Sequence, residues 1–108
     1  MYPLNDPEDI NEATQLINQY AASDWCKFIY TQHAKERAAL RVIPADVIQS
    51  VLANGQVIEV RKEAYPNGRA RYAYNVQLID RYGRVNVVTA VVGSFQLLVV
   101  TTYTDVPD

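Results

Sequence analysis

The sequence predicts an α+β fold in which two or three N-terminal helices precede a four-stranded antiparallel β-meander. Apolar residues recur at helical spacing up to about residue 52, and from residue 56 onward they alternate with a period of two. Turn signals that contain glycine then divide the second half of the chain into strands. Short connections of this kind join neighbouring strands of an antiparallel sheet.

The first helix is predicted to extend to about residue 22. Asp6 is a suitable N-cap, Pro7 suits the first helical position, and Glu8 adds negative charge at the positive end of the helix dipole. Apolar residues follow on one face, so we expect this helix to dock on the body of the protein. Residues 25–30 indicate a short buried strand or an extended segment.

Two shorter helices are predicted next. Thr31 is the N-cap of a helix that reaches about Arg41, and Pro44 opens another helix. Gly55 ends the latter, because glycine accepts the left-handed conformation common at helix ends. The predicted buried stripe of this last helix consists of Val47, Ile48, Val51 and Leu52.

Four strands are predicted, over residues 56–62, 71–80, 85–92 and 95–104, with turns at residues 65–68, 81–83 and 93–94. A two-residue turn at Gly93-Ser94 places Asn86 opposite Thr101 and Arg84 opposite Tyr103. The same register places Val88 opposite Val99, Ala90 opposite Leu97 and Val92 opposite Phe95. A three-residue loop before Arg84 adds Tyr74, Val76 and Leu78 to that face. A helix packed over the apolar part of this face would leave the polar residues around an opening at the end of the sheet. Alternatively, the sheet simply ends in polar residues.

The opposite sheet face is predicted to be apolar for a surface that faces solvent. It carries Val85, Val87, Thr89, Val91, Leu98, Val100 and Thr102. A surface of this kind predicts an interface with a second copy or another partner.

Composition limits the class of protein. The chain has 108 residues, 49% apolar and 20% charged, which is the balance of one globular domain. It has no apolar run near the roughly 18 residues of a membrane span, and its acidic N-terminus does not resemble a signal peptide. A single cysteine, Cys26, excludes an internal disulfide and favours a cytoplasmic location. With a single histidine as well, no metal site and no cofactor are predicted.

The charges are unevenly distributed. All ten Lys and Arg residues lie between Lys27 and Arg84, whereas residues 1–24 hold five acids and no base. We therefore divide one compact domain into an acidic N-terminal helical extension, residues 1–24, and a more basic body, residues 25–108. A basic body fits a phosphate-binding surface, and ordinary charge scatter fits it equally well.

The second predicted helix carries a row of basic residues. His33, Arg37 and Arg41 follow one another at a spacing of four and form one stripe. Guanidinium groups bind phosphate or carboxylate in a bidentate geometry, so the stripe predicts an anion site. Two solvated arginines and a histidine bonded to the backbone explain the same spacing. The packing surface beside the stripe is predicted to be Ala34, Ala38 and Val42.

Short motifs occur here in the order found in a widespread bacterial family of unknown function. They are Thr31-Gln32-His33-Ala34 with Arg37 and Arg41, the helix start Ile43-Pro44-Ala45-Asp46-Val47, the segment Asn54-Gly55-Gln56-Val57-Ile58-Glu59, and Val100-Thr101-Thr102-Tyr103. On these motifs, residues 27–104 resemble that family, which is grouped by fold and residue pattern with the RelE, barnase and colicin-nuclease-like toxins. The resemblance implies a metal-independent RNase with His33, Arg37 and Thr101 at its site, and Arg41 and Tyr103 beside them.

Two main functions follow, and both stay open at this point, as does a small anionic ligand held by Arg37 and Arg41. The first is RNA binding or endoribonuclease activity of the toxin type, with RNA and a protein inhibitor as partners. His33 would transfer a proton, the arginines would bind phosphate, and Arg84, Asn86 and Tyr103 would support them. The second is a non-enzymatic interaction module, homodimeric through the outer sheet face. The net charge of −2 weakens the attraction for RNA.

Overall fold

The computed structural model describes residues 4–62, 72–80 and 83–105. Within these ranges the chain forms three helices and five strands. In chain order they are α1 (Ile10–Ala21), β1 (Lys27–Tyr30), α2 (Gln32–Leu40), α3 (Ala45–Asn54), β2 (Gln56–Lys62), β3 (Tyr72–Asp80), β4 (Gly83–Gly93) and β5 (Gln96–Asp105). None of the helices in these ranges is long and apolar enough to cross a membrane. The predicted turn at residues 65–68 and loop residues 81–82 lie outside the described residues.

The strands form one mixed sheet in the order β1-β5-β4-β3-β2. The neighbours from β2 to β5 are antiparallel, as predicted, but β1 pairs with β5 in parallel. The predicted four-stranded antiparallel sheet is therefore wrong by one strand. The short strand indicated within residues 25–30 is present as β1, but its place in the sheet was not predicted, because a parallel partner about 70 residues away cannot be identified from a local turn.

The β4–β5 hairpin turns at Ser94-Phe95, one residue later than predicted. Phe95 takes the left-handed conformation, with φ 53°. Its ring stacks on that of Tyr20, with the ring centroids 4.5 Å apart, and also meets Trp25 edge-on at 6.0 Å. This aromatic packing offsets the cost of placing a bulky residue where glycine or asparagine is usual.

The later turn changes the predicted strand pairs. Asn86 lies opposite Tyr103, Arg84 opposite Asp105, and Val88 opposite Thr101. The three predicted pairs nearer the turn are also wrong, because Thr89 faces Val99, Ala90 faces Leu98 and Val91 faces Leu97. The register shifts twice, because Val92 is an unpaired extra residue in β4 and Val100 is an unpaired extra residue in β5. A uniform register counted from the turn was wrong for this reason.

The β3–β4 hairpin is offset by one residue from the prediction. Asp80 pairs with Gly83, and Val76 therefore lies opposite Val87. Gly83 has φ 92° and thus takes the left-handed conformation that was predicted for it. Because side chains alternate between the two faces of a sheet, an offset of one residue moves the whole apolar set of β3 to the face opposite Asn86. The residues moved are Tyr74, Val76 and Leu78.

The hydrophobic core lies between the helices and the sheet face that carries Tyr74 and Val76. Val85, Val87 and Val91 belong to this core, so their assignment to an outward apolar face was wrong. Thr89 and Thr102 are buried with them, and Leu98 and Val100 are half-buried. The predicted dimer surface loses most of its residues to the core.

We call the other side of the sheet the outer face, defined by Asn75, Gln77, Asn86, Thr101 and Tyr103. It also holds small or β-branched residues that are themselves buried, among them Ala73, Val88 and Ala90. Both faces of the central strands are therefore shielded from solvent. Strands buried on both faces read as nearly continuous apolar runs, as β4 does from Val87 to Val91.

α1 begins at Ile10 with Asp9 as its N-cap, so the predicted cap at Asp6 is wrong by three residues. The Asp9 carboxylate accepts hydrogen bonds from the backbone N–H groups of Asn11 and Glu12, at 2.9 and 3.2 Å. Either aspartate has the right chemistry for a cap. Asp9 lies directly before the amphipathic run, and this position decides between them.

α1 docks on the body, as predicted, and its contacts are with α3, β2 and β5. Ala13 and Ile17 are fully buried, and Thr14 Oγ1 accepts a hydrogen bond of 3.0 Å from the N–H of Val57. Asn18 Nδ2 donates to the carbonyls of Leu52, at 2.8 Å, and Gly55, at 3.2 Å. α1 thus supplies core side chains and also satisfies backbone groups at the corner between α3 and β2.

Gly55 ends α3, as predicted, but not through a left-handed conformation. Its φ of −80° and ψ of −177° are extended values that any residue adopts. Glycine is needed because an added Cβ would lie 2.5 Å from the carbonyl oxygen of Val51 and 2.8 Å from that of Gln77. The constraint is a close approach between backbones. The predicted buried stripe of α3 is confirmed at all four positions.

Candidate anion-binding site on the second helix

The start of α2 is tied to β5 through Thr31, the predicted N-cap. Thr31 Oγ1 accepts a hydrogen bond from the N–H of Ala34 at 3.0 Å and donates one to the carbonyl of Val100 at 2.9 Å. The N–H of Thr31 also donates to the carbonyl of Val99 at 3.1 Å. These bonds hold the first turn of α2, which carries His33, against Val99 and Val100, the two residues that precede Thr101 in β5.

The predicted basic stripe lies on the surface of α2. His33 and Arg37 are exposed, as is Arg41 just after the helix. Lys35 lines a groove between α2 and α3. Because each helical residue advances by about 100°, His33 and Arg37 lie roughly 160° around α2 from Lys35. They therefore point away from α3. We call His33, Arg37 and Arg41 the basic flank.

The packing surface beside the stripe agrees with the prediction in two residues of three. Ala34 is 1% exposed and Ala38 is half-buried against the core. Val42 is 75% exposed, so its assignment to the packing surface was wrong. The helix ends at Leu40, and Val42 lies in the turn beyond it, where helical periodicity no longer determines its direction.

The polar strand residues share one sheet face, as predicted, although the pairs differ. Asn86 is fully buried, Thr101 and Tyr103 are half-buried, and Arg84 is exposed. The structure brings Asn86 and Tyr103 together as direct cross-strand neighbours. Among the described residues, none donates or accepts a hydrogen bond with the side chain of His33. The helical half thus lies with the helices on the core side of the sheet and the strand half on its outer face, and the structure shows no bond between them within the described residues.

Two polar residues that the sequence analysis did not identify lie within the strand half. Asn75 Nδ2 donates to Tyr103 Oη at 2.5 Å, and Gln77 Nε2 donates to Asn86 Oδ1 at 3.1 Å. Asn75 is 2% exposed, and its Oδ1 has no hydrogen-bond partner in the described part of the chain. The alternation of polar and apolar residues in β3 was the available signal, but it reads as an ordinary solvent-facing edge.

In the part of the chain that the structure describes, no group of three or more His, Cys, Asp and Glu side chains is placed to hold a metal ion. Outside the candidate site, an ion pair of 3.0 Å with Glu8 raises the pKa of Lys62. That pair links the segment before α1 to β2.

Cys26 is expected to be an unreactive thiol. Partial burial raises the pKa of the Cys26 thiol, so less of the reactive thiolate is present at any given pH below that value. The rate of Cys26 alkylation by iodoacetamide between pH 7 and 9, measured by mass spectrometry, should be lower than that of glutathione. The rate should also increase with pH about a higher midpoint than that of glutathione. A midpoint at or below that of glutathione would contradict this.

The described fold defines a small α+β domain in which helices pack on one face of a mixed five-stranded sheet, with a cationic helix anchored on β5. The chain belongs to the family described as a domain of unknown function, DUF4258, whose family model matches residues 30–104. The match begins in β1 and ends in β5, so α1 precedes it. Comparison with curated proteins and with solved structures finds no match.

Proposed function

We propose that this protein binds the phosphate backbone of RNA on the basic flank of α2 and cleaves it without a metal ion. The observation that carries the proposal is the anchoring of α2 on β5. Thr31 bonds to the carbonyls of Val99 and Val100, and this brings the turn with His33 beside the strand segment that carries Thr101. The exposed imidazole and the two exposed guanidinium groups follow one another along α2 from this anchor.

Each group has a role in cleavage by a ribose 2′-hydroxyl. His33 takes the proton of the attacking hydroxyl, while Arg37 and Arg41 bind the phosphate oxygens and offset the charge that develops in the transition state. The new bond joins the 2′ oxygen to phosphorus, and the bond to the 5′ oxygen breaks. The leaving oxygen takes a proton from water, because the hydroxyls of Thr101 and Tyr103 lie on the outer face of the sheet.

The polar residues of the outer face have a separate, supporting role in the proposal. Asn75 bonds to Tyr103 and Gln77 bonds to Asn86, so amide groups fix the polar side chains of this face. Arg84 is exposed on the same face, and its guanidinium would contact the backbone of an RNA long enough to reach it.

The test compares variants on opposite sides of α2 with a fluorescein-labelled single-stranded RNA in EDTA. Arg37→Ala should weaken binding by about tenfold, because it removes a charged hydrogen-bonding group from phosphate. His33→Ala should retain binding and lose cleavage by a factor of about 10² to 10⁴. Lys35→Ala is the matched control, since it removes one charge from the same helix on the side that faces α3.

Salt dependence provides a second readout. Two or three phosphate contacts on single-stranded RNA predict a slope of log K against log salt of about −1.4 to −2.1. Equal losses for Lys35→Ala and Arg37→Ala would mean that only net charge matters and would reject the basic flank as a site. A wild-type protein that neither binds nor cleaves RNA would reject the proposed function.

A further inference from the structure

The end of α3 and the end of β3 border a groove that is separate from the basic flank. The groove has a volume of about 320 Å³ and lies between residues 54–56 and residues 77–79, with Ile58 also in its lining. Two of its apolar side chains are exposed, since Ile79 is 73% exposed and Ile58 is 48% exposed. We call this space, lined by residues 54–56, Ile58 and residues 77–79, the β3 edge groove.

β3 extends beyond the strand that borders it on this side. Gln77 is the last residue of β3 that pairs with β2, and its partner Gln56 is the first residue of β2. β3 continues to Asp80, and residues 78–80 pair only with β4, on the other side. β2 does not reach farther, because the chain enters it directly from α3. Within the described residues, the strand position beside residues 78–80 is therefore vacant.

The main-chain groups of Ile79 face this vacant position. The Gln77 carbonyl oxygen lies 2.8 Å from the point that a Cβ on Gly55 would occupy, so this carbonyl points toward the β2 side. Every second residue of a strand directs its N–H and C=O to the same side, so those of Ile79 also point there, whereas Leu78 faces Val85 of β4. Among the described residues, none forms a hydrogen bond with the N–H or C=O of Ile79 on that side.

We propose that the β3 edge groove binds an extended peptide segment of a partner protein, which adds a strand beside residues 78–80. An open donor and acceptor on one strand edge match the main chain of another strand. Three strand residues span about 10 Å, and in the antiparallel direction a residue opposite Ile79 would exchange two hydrogen bonds with it. This inference does not depend on RNA cleavage.

The lining of the groove determines the chemistry of the segment. Its described residues are carboxamide, aliphatic and glycine residues, and none of them is charged or aromatic. A nucleobase is usually held by stacking on an aromatic ring or an arginine, so this lining favours a peptide over RNA. The segment is uncharged where it contacts the groove, and a β-branched residue opposite Ile79 would form an apolar cross-strand pair with it.

The test uses a capped peptide of about eight residues in which valine and threonine alternate between terminal lysines. Hydrogen exchange of the ¹⁵N-labelled protein is followed by NMR. Without peptide, the amide of Ile79 should exchange faster than that of Leu78, which faces β4. Saturating peptide should slow exchange at Ile79 about tenfold or more, because the amide gains a hydrogen bond. The control peptide is N-methylated at its central residues, lacks N–H groups on both edges, and should have no effect.

Ile79→Ser should weaken peptide binding about threefold or more, because it removes the apolar cross-strand contact. Leu40→Ser is the matched control, since Leu40 is 75% exposed at the end of α2 and its loss should leave binding unchanged. Wild-type affinity in Ile79→Ser would overturn the proposal, as would equal binding of the N-methylated peptide or an Ile79 amide already protected without peptide. Concentration-dependent protection of Ile79 without peptide would also overturn it, because a second copy would then occupy the edge.

Discussion

Ile17→Ala should lower the free energy of unfolding by about 3 to 4 kcal/mol, the usual cost of truncating a large buried side chain to alanine. Ile17 is 0% exposed and belongs to the same core as Val51, Leu52 and Val57. Its removal leaves a cavity between α1 and the body, and the two hydrogen bonds of Asn18 keep α1 from moving inward to fill it. Urea unfolding followed by circular dichroism measures the change.

Ile10→Ala is the matched control on the same helix. Ile10 is 40% exposed, so its truncation should cost less than about 1 kcal/mol. The comparison addresses the division of the chain into a helical extension and a body, because α1 precedes the stretch matched by the family model. Equal and small effects at both positions would show that α1 is a separable appendage.

Gly55→Ala should destabilise the protein by about 3 kcal/mol, at the upper end of the usual cost of overpacking. The added Cβ would lie 2.5 Å from the Val51 carbonyl oxygen, 2.8 Å from the Gln77 carbonyl oxygen and 2.9 Å from Val76 Cγ1. Two of these three atoms belong to the backbone and cannot rotate away. Relief would require α3 and β3 to separate, at the corner that Asn18 also braces.

Gly93→Ala tests the same change where a side chain can yield. There the three atoms nearest to the added Cβ all belong to the Gln96 side chain, the closest at 2.8 Å. Gln96 is exposed and can change rotamer, so we expect a change within about 0.5 kcal/mol. A cost at Gly55 as small as that at Gly93 would contradict the close approach between backbones that we infer.

The sequence predicted the elements of this fold better than their pairing. The cap at Thr31 and the buried stripe of α3 were identified because each depends on neighbours within four residues. The order of the antiparallel strands followed from their short connections. The hairpin registers did not, because two residues without special sequence signals, Val92 and Val100, interrupt the ladder.

The candidate site shows the same division between local and distant information. The basic flank was predicted as a helical stripe, and its exposure is what a stripe of charged residues implies. Asn75 was not identified, since its burial depends on strands that lie far along the chain. The turn at Ser94-Phe95 was also missed, because the stacking of Phe95 on Tyr20 joins residues 75 positions apart and outweighs the local preference for glycine.

The parallel pairing of β1 with β5 has a consequence for how the protein is made. β1 leaves the ribosome early, but the strand that it must join is completed only when residue 105 has been synthesised. Until then the edge of β1 has no partner, and the turn with His33 has no β5 carbonyls to hold it. Closing so long a loop is slow, so this edge of the sheet should form late in folding, and a chain cut short before β5 should lack the assembled site.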